Sequence, residues 1–559
     1  MEGHFSYKKL FHGNTLMVIV PHEDDEINAA GSVICGACRE GMEVVCVFIT
    51  NGDYKYLPQV RIGEAIRSLA VLGVPEKNVL FLGYPDGGLH TERCVYERML
   101  PVDVYGRTET AGAKGHPEFC AARTGKHHAL TWENLLNDLE HVLLQYQSDG
   151  IIAVDFDSHP DHRMCSIAFD TVMGRILNRE GNTYQPVVLK TFAYNTAFNG
   201  KKDFWKNNLH STVVNPKELT IPGQLDNPGY EWEKRLRIPV PACCRTMLLR
   251  DNVIYQALKC HLSQRAIHRA DRIINGDQVF WRRNTRNLAF MGGRISVSSG
   301  ESKYLHDFRM LGMRPLWGQA SRWEDYLWIP AKEDTRPFCF CEFECPQTVT
   351  RVVFYGNLDG NARILKGRLS FNTGYSIETG AFQSYGKAFY VDFPCQKGVS
   401  WIRFEILERT GENAGISEWE ILGEEEEESL WIKICVGEHF AYRWVLTKED
   451  AKSINAYCSG MTGKLRWYLD GVEMTIEDIR EKCSRLKRPA ALCAECVDSP
   501  AIRDEVMVYP QTVKNCVLQW SYRLRNHVQL WLDKQREKRP HHKLNRYTYK
   551  YKMINETKG

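Results

Sequence analysis

Five short apolar runs, each stopping abruptly at Gly, Asp, Asn or His, limit the folds open to the first half of this chain: "TLMVIVPH", "EVVCVFITNGD", "NVLFLGYPDGG", "GIIAVDFDSHPDH" and "PVVLKTFAYN". Between some of them lie stretches such as "RIGEAIRSLAVLGV" and "TWENLLNDLEHVLLQYQ", with apolar residues three and four apart. Strands apolar on both faces, alternating with amphipathic helices, predict a parallel sheet covered on both sides over about 14–285. Ligands of such sheets bind outside the carboxyl ends of the strands, where the polar residues of these runs cluster.

The texture then changes. From 286 to 423 turn residues are frequent and the runs alternate, as in "TVTRVVFYGN", "GVSWIRFEIL" and "GISEWEIL". This predicts a β-sandwich. Five glutamates, Glu424 to Glu428, read as a linker or a solvated acidic loop. Residues 430–508 read as a small β domain of immunoglobulin-like type. Over 511–539, Val517, Trp520, Leu524, Val528 and Trp531 fall at near-helical spacing with basic flanks, and the remainder to 559 reads as a polar tail. The expected organisation is thus 1–285, 286–423, 430–508 and 511–559, since 559 residues exceed what one core supports.

No apolar run is long enough to span a bilayer, and "MEGHFSYKKLFHGN" lacks the apolar segment of a secretory signal. The 19 cysteines are odd in number and scattered, which predicts reduced thiols and, with the rest, a cytoplasmic protein. Two C-x-x-C pairs stand out. Cys35/Cys38 reads as two core residues one helical turn apart, and Cys493/Cys496 lacks the partners of a zinc knuckle. Net charge is +3, but the segment from Lys514 onward carries +9. That basic helix reads first as a terminal helix docked on the β domains with a solvated basic face. The second reading is peripheral contact with an anionic membrane surface, at the inner face of the membrane. No nucleic-acid-binding module accompanies the charge, and no nucleic-acid partner is expected.

The chemistry concentrates at two strand ends. "PHEDDE" (21–26) follows the first run and "DSHPDH" (157–162) the fourth. If those strands are neighbours, His22, Asp25 and His162 supply two imidazoles and a carboxylate to one metal ion, with a position left for water, as in a catalytic zinc site. Asp24 is placed to take a proton from the attacking water. His159 is placed to stabilise an oxyanion or protonate a leaving amine, and Asp161 to hold an imidazole in the needed tautomer. Glu26 opens a helix, where a carboxylate meets free N–H groups. Glu23 receives no role. Either cluster alone reads more readily as a solvated helix cap; the two together favour a site.

On these residues the chain resembles the LmbE-like/PIG-L deacetylases: "PHEDDE" is similar to their HPDDE motif and "SHPDH" to their HxDH motif, with further likeness in "ITNGD", "LGYPDGGL" and "ALKCHLSQ" (257–264). The resemblance implies a Rossmann-like sheet and one Zn2+ held by His22, Asp25 and His162. It further implies Asp24 as general base, His159 as stabiliser of the transition state, and removal of an N-acetyl group from an N-acetylglucosamine-type sugar. It also implies sugar contacts at Arg61 and Asp86. Two departures stand out. Glu23 replaces the usual Pro, and Asp157 stands where some members carry a tyrosine, which leaves the acid role to His159 or to a protonated Asp24. The β region resembles a discoidin-like (F5/8 type C) module, which implies a glycan partner. The expected function is therefore zinc-dependent deacetylation of an N-acetylated sugar or glycoconjugate, in cell-surface glycan biosynthesis or modification, with a lipid-linked substrate as one form. The alternatives are a glycan-binding scaffold with an idle deacetylase domain, and a metal-dependent phosphoesterase that would hold two close metal ions.

Overall fold

The computed structural model describes residues 5–88, 106–157, 159–193, 198–199, 209–214, 230–310, 312, 326–357, 361–424, 430–460 and 464–548. The acidic run falls outside these from Glu425 on, and the tail from residue 549 on.

The first unit is built on β1 (Thr15–Val20), β2 (Glu43–Thr50), β3 (Val79–Tyr84), β4 (Gly150–Val154), β5 (Val187–Thr191), β6 (Leu236–Pro239) and β7 (Asp277–Arg283). They lie in the order β3-β2-β1-β4-β5-β7-β6. The first five are parallel, and β7 and β6 close one edge antiparallel. Successive residues face opposite sides. Leu16, Val18 and Val20 join one core with Ile27, Val33, Ile62 and Leu69, whereas Met17 and Ile19 join a second with Leu135, Leu139, Met164 and Phe169. The covering helices are α1 (Asp25–Arg39) and α2 (Pro58–Leu72) on one face, and α3 (Trp132–Tyr146) and α4 (Pro160–Leu177) on the other. Local chemistry sets their ends. Pro58 opens α2 with its φ already helical, and Gly73 closes it at φ 106°. The Thr131 hydroxyl caps α3 by accepting from the Asn134 N–H.

The strand order itself positions the site. The chain winds outward from β1 toward β3 and outward the other way from β4 toward β5, so β1 and β4 are neighbours at the point where the winding reverses. Loops leaving their carboxyl ends part to opposite faces and open a crevice.

The sandwich comprises β8 (Gly293–Val297), β9 (Phe338–Gly356), β10 (Arg363–Phe371), β11 (Ser376–Thr379), β12 (Ala388–Thr410) and β13 (Ile416–Leu422), all paired antiparallel. Its core holds Trp328, Phe354, Phe404 and Trp419. Asn287 ties its entrance down. It donates to the Trp419 carbonyl and accepts from the N–H groups of Ala289 and Ile421. Val353, Tyr355 and Ala388 pack into the first unit's second core, so the two units share apolar surface.

Residues 430–510 are not an immunoglobulin-like sandwich. Arg443–Leu446 pairs parallel to Arg503–Pro510, and helices Lys448–Lys452 and Ile476–Ser484 interrupt the strands. Those helices were missed because they are short and capped by polar residues, Thr447 and Thr475, rather than announced by a long apolar period.

The final helix, α5 (Val513–Lys543), forms where expected. Its buried face is mostly polar: Gln519, Asn526, Leu530, Asp533 and Glu537. Among the described residues, that face is hydrogen-bonded to the segment after β6 of the first unit. The Leu249 N–H donates to Asn526, Asn526 donates to the Met247 carbonyl, and Tyr255 Oη donates to Asp533. The apolar stripe points outward, with Trp520 61% and Trp531 60% exposed. The docked reading expected a solvated basic face, and Lys514, Arg523, Arg525 and Arg536 are indeed exposed. A set of paired hydrogen bonds anchors the face opposite the apolar stripe.

Candidate metal-dependent active site

The two polar clusters meet. His22 Nδ1 lies 3.1 Å from Asp25 Oδ2, His162 Nε2 lies 3.2 Å from the same oxygen, and the two ring nitrogens are 3.3 Å apart. All three residues are buried. The far side of each ring fixes its tautomer. His162 Nδ1 is 2.6 Å from Asp157 Oδ2, and His22 Nε2 is 3.1 Å from Asp161 Oδ2, so carboxylates take both outer N–H groups. Each inner nitrogen then presents a lone pair. Two imidazole nitrogens and a carboxylate oxygen thus lie within 3.3 Å of one another, a group that could hold a metal ion. Tetrahedral coordination at the bond lengths usual for zinc places ligand atoms about 3.3 Å apart, which this triangle fits.

The electrostatics agree. Burial alone would lower the pKa of His22, but Asp86, Asp161 and Asp25 outweigh it and raise it well above the usual imidazole value. Burial would raise Asp25, yet His162 and His22 hold it well below the carboxylate range. Burial also opposes the charge on His162, and Asp157 and Asp25 lift it to about 9. The carboxylates therefore hold positive charge at this point, as protons or as a metal ion.

His159 behaves differently. Burial first, then repulsion from His22 and His162, lowers its pKa well below the usual value. Its Nδ1 accepts from the Asp161 N–H and so caps α4, with Pro160 supplying the first helical φ. A neutral ring whose Nδ1 accepts carries its proton on Nε2. The ring is 4.7 Å from that of His22 and 4.8 Å from that of His162, centre to centre. His22, His159 and His162 each offer a nitrogen within 4.8 Å of the others, a looser group than the triangle with Asp25.

Asp24 holds φ 144°, a backbone conformation that non-glycine residues rarely adopt and that costs roughly 1–3 kcal/mol. Glu26 helps to hold it there by accepting the Asp24 N–H at 2.9 Å. Its other oxygen accepts from Ser68 and meets His261 Nε2 at 2.7 Å. The Asp24 carboxylate lies between two guanidiniums, Arg61 Nη2 at 2.9 Å and Arg269 Nη2 at 2.6 Å. Arg61 is buried and also donates to Asp86 Oδ2 at 3.2 Å and to the Glu23 carbonyl. Glu23 is wholly buried beside Gly52, whose φ of +64° and lack of a side chain leave it room. Desolvation pushes its carboxyl up to about 8, against the pull of Arg61.

His22, Asp25, His162, Asp24, His159, Asp161, Arg61 and Asp86 thus lie in one network. Arg61 and Asp86 have internal partners as well as each other. Reading the sequence missed Arg269 and gave no task to His261. Arg269 sits in a short basic segment, "AIHRADR", with no local mark of a site. Only the return of the chain to the crevice after β6 brings it to Asp24.

Residues 17–173 match the family model "PIG-L: GlcNAc-PI de-N-acetylase", and residues 292–422 match one described as a domain of unknown function, DUF7402. Among solved structures, N,N'-diacetylchitobiose deacetylase from Pyrococcus horikoshii is 18% identical, covers 34% of this chain and has a TM-score of 0.23; the match spans 63% of that protein's length. The conserved protein TT1542 from Thermus thermophilus is 20% identical over 33% of this chain and 70% of its own, with a TM-score of 0.22. The family 32 carbohydrate-binding module of NanJ from C. perfringens, solved with galactose, is 15% identical over 23% of this chain and 93% of its own, with a TM-score of 0.19. Residues 17–173 of this chain belong to the PIG-L (LmbE-like) deacetylase family.

Proposed function

We propose that the chain is a zinc-dependent amide hydrolase that removes the acetyl group from an N-acetylated sugar or glycoconjugate. The observation that carries this reading is the triangle of lone pairs from His22, Asp25 and His162 at the β1/β4 junction. A zinc ion held there supplies Lewis acidity and a water acidified to a pKa of about 7. The chain's own groups do the rest. Asp157 and Asp161 lock the ligand rings. Asp24, oriented by Arg61 and Arg269, takes the proton of the attacking water and returns it to the departing amine. The Nε2–H of His159 meets the negative charge that develops on the carbonyl oxygen. Arg61 and Asp86, expected as sugar contacts, are assigned here to holding Asp24 and His22. The test is acetate release from a panel of N-acetylhexosamine conjugates by the zinc-loaded full chain. Turnover of phosphate esters in place of amides would favour the phosphoesterase reading, and no turnover of either would favour the idle scaffold.

A lipid-linked form of that substrate, met at the cytoplasmic face of a membrane, is the finer part of the proposal, and α5 supports it. Val513, Val517, Trp520, Leu524, Val528 and Trp531 are all exposed and span an arc of about 80° at 100° per residue. Lys514, Arg523, Arg525, Arg536, Lys538 and Arg539 are exposed on the same helix, while its two acids, Asp533 and Glu537, are buried. A helix anchored by its opposite face cannot be wrapped by a protein groove, and a second copy would oppose like charges. A flat anionic lipid surface suits both constraints. No described helix is long and apolar enough to cross the membrane. Sedimentation with vesicles should show binding with phosphatidylserine and not with phosphatidylcholine alone. The Trp520→Ala/Trp531→Ala double variant should lose it with little change in Tm, because both rings are exposed. Equal binding by that variant, or self-association through α5, would overturn the membrane assignment and leave the hydrolase reading intact.

A further inference from the structure

Cys35 meets two other sulfurs across the fold. It faces Cys243 and Cys244, which lie in the single 3-10 turn Ala242–Cys244 just beyond β6. The Cys35 and Cys243 sulfurs are 3.5 Å apart, those of Cys243 and Cys244 are 3.8 Å apart, and all three lie within 4.8 Å of one another. Cys35 and Cys244 are buried, and Cys243 is half-buried on the wall of a 520 Å3 cavity that Arg39, Glu40, Lys433 and Asp504 also line. We propose that Cys35, Cys243 and Cys244 form a second metal site, for a thiophilic divalent ion of the zinc class, independent of the catalytic centre.

Geometry, charge and access support this. Zinc–thiolate bonds of about 2.3 Å in tetrahedral geometry set sulfurs about 3.8 Å apart, close to the separations found. A disulfide requires about 2.05 Å between two sulfurs and would leave the third thiol aside. Three thiolates around a divalent ion leave one excess negative charge, and the Arg39 guanidinium, which lines the same cavity wall as Cys243, offsets it. The cavity gives the ion a path and leaves its fourth position to water. Binding releases the protons of the thiols to solvent. Cys35 lies ten residues along α1 from Asp25, about 15 Å at 1.5 Å per residue. An ion there would pin the far end of the helix that carries a catalytic ligand to the segment beyond β6.

Cobalt distinguishes the two sites in one sample. The reduced full chain titrated with Co2+ should show an intense thiolate-to-cobalt charge-transfer band in the near ultraviolet, besides the weak visible bands of a nitrogen–oxygen site. Cys35→Ser and Cys243→Ser should each remove the charge-transfer band and keep the visible ones, which also shows that the variants are folded. With the unaltered chain, Zn2+ should protect three thiols from alkylation, identified by peptide mass as 35, 243 and 244. Absence of the band, or alkylation of all three at the same rate with and without Zn2+, would overturn the site. So would a Cys35–Cys243 disulfide in protein kept under reductant. None of these outcomes bears on the His22/Asp25/His162 centre.

Discussion

Asp24 has the most demanding environment of any residue in the site, with a left-handed backbone, a neighbour's carboxylate on its N–H and two guanidiniums on its side chain. Asp24→Asn keeps the shape and removes the proton acceptor. Acetate release should fall by roughly 10^2–10^4-fold with bound zinc unchanged by elemental analysis; full activity in that variant would remove the base assignment. Asp157 tests the ligand shell separately. Its carboxylate is 2.6 Å from His162 Nδ1, and Asp157→Asn should weaken zinc binding by roughly 10–100-fold in a chelator competition. Unchanged affinity would mean that His162 needs no outer partner. His22, Asp25 and His162 were legible in the sequence because metal-ligand residue types recur at short spacing after apolar runs. Asp157 was noticed there only as a departure, since its partner is fixed by a ring orientation that spacing does not encode.

At the scale of elements, α1 and α4 each begin inside the site, so the residues that start the helices are also the candidate chemistry: Asp24 precedes α1 and His159 caps α4. The helix α5 shows the opposite case. Its periodicity announced a helix, but not which face would be buried, because three-and-four spacing of apolar residues is equally visible whether the stripe meets protein or solvent. Asn526→Leu tests the polar docking. It leaves the Leu249 N–H and Met247 carbonyl without their partner, a loss of about 1–3 kcal/mol. Amide exchange in α5 should speed up while the strands of the central sheet stay protected; equal protection would show that Leu530 and the remaining bonds suffice.

The whole molecule is joined by apolar and charged contacts in the same places. Where the sandwich meets the catalytic unit, Arg283 is buried among Asp170, Glu420 and Tyr355 and donates to the Phe308 carbonyl. Burial pushes Glu420 up to about 7, with Arg283 pulling the other way. In the unfolded chain the same group titrates near 4.3. The folded state therefore binds the proton more tightly. The stabilisation is complete below about pH 4.3 and is lost as pH rises through about 7. Glu420→Gln removes this dependence: measured against the unaltered chain, its Tm should gain from pH 5 to pH 8. A difference that stays constant with pH would mean that the Glu420 carboxyl has the same proton affinity folded and unfolded.

The sequence by itself determined the parallel sheet, the sandwich, the terminal helix and the residues able to hold a metal, because apolar period and short-range spacing are local properties that survive in one dimension. Tertiary structure alone decided that β1 and β4 are neighbours and which carboxylate orients which ring. It alone brought Arg269 to Asp24 and Cys35 to Cys243, and set the apolar stripe of α5 facing outward. Each of these joins residues far apart along the chain, and their distances follow from how layers pack rather than from the period of any single element.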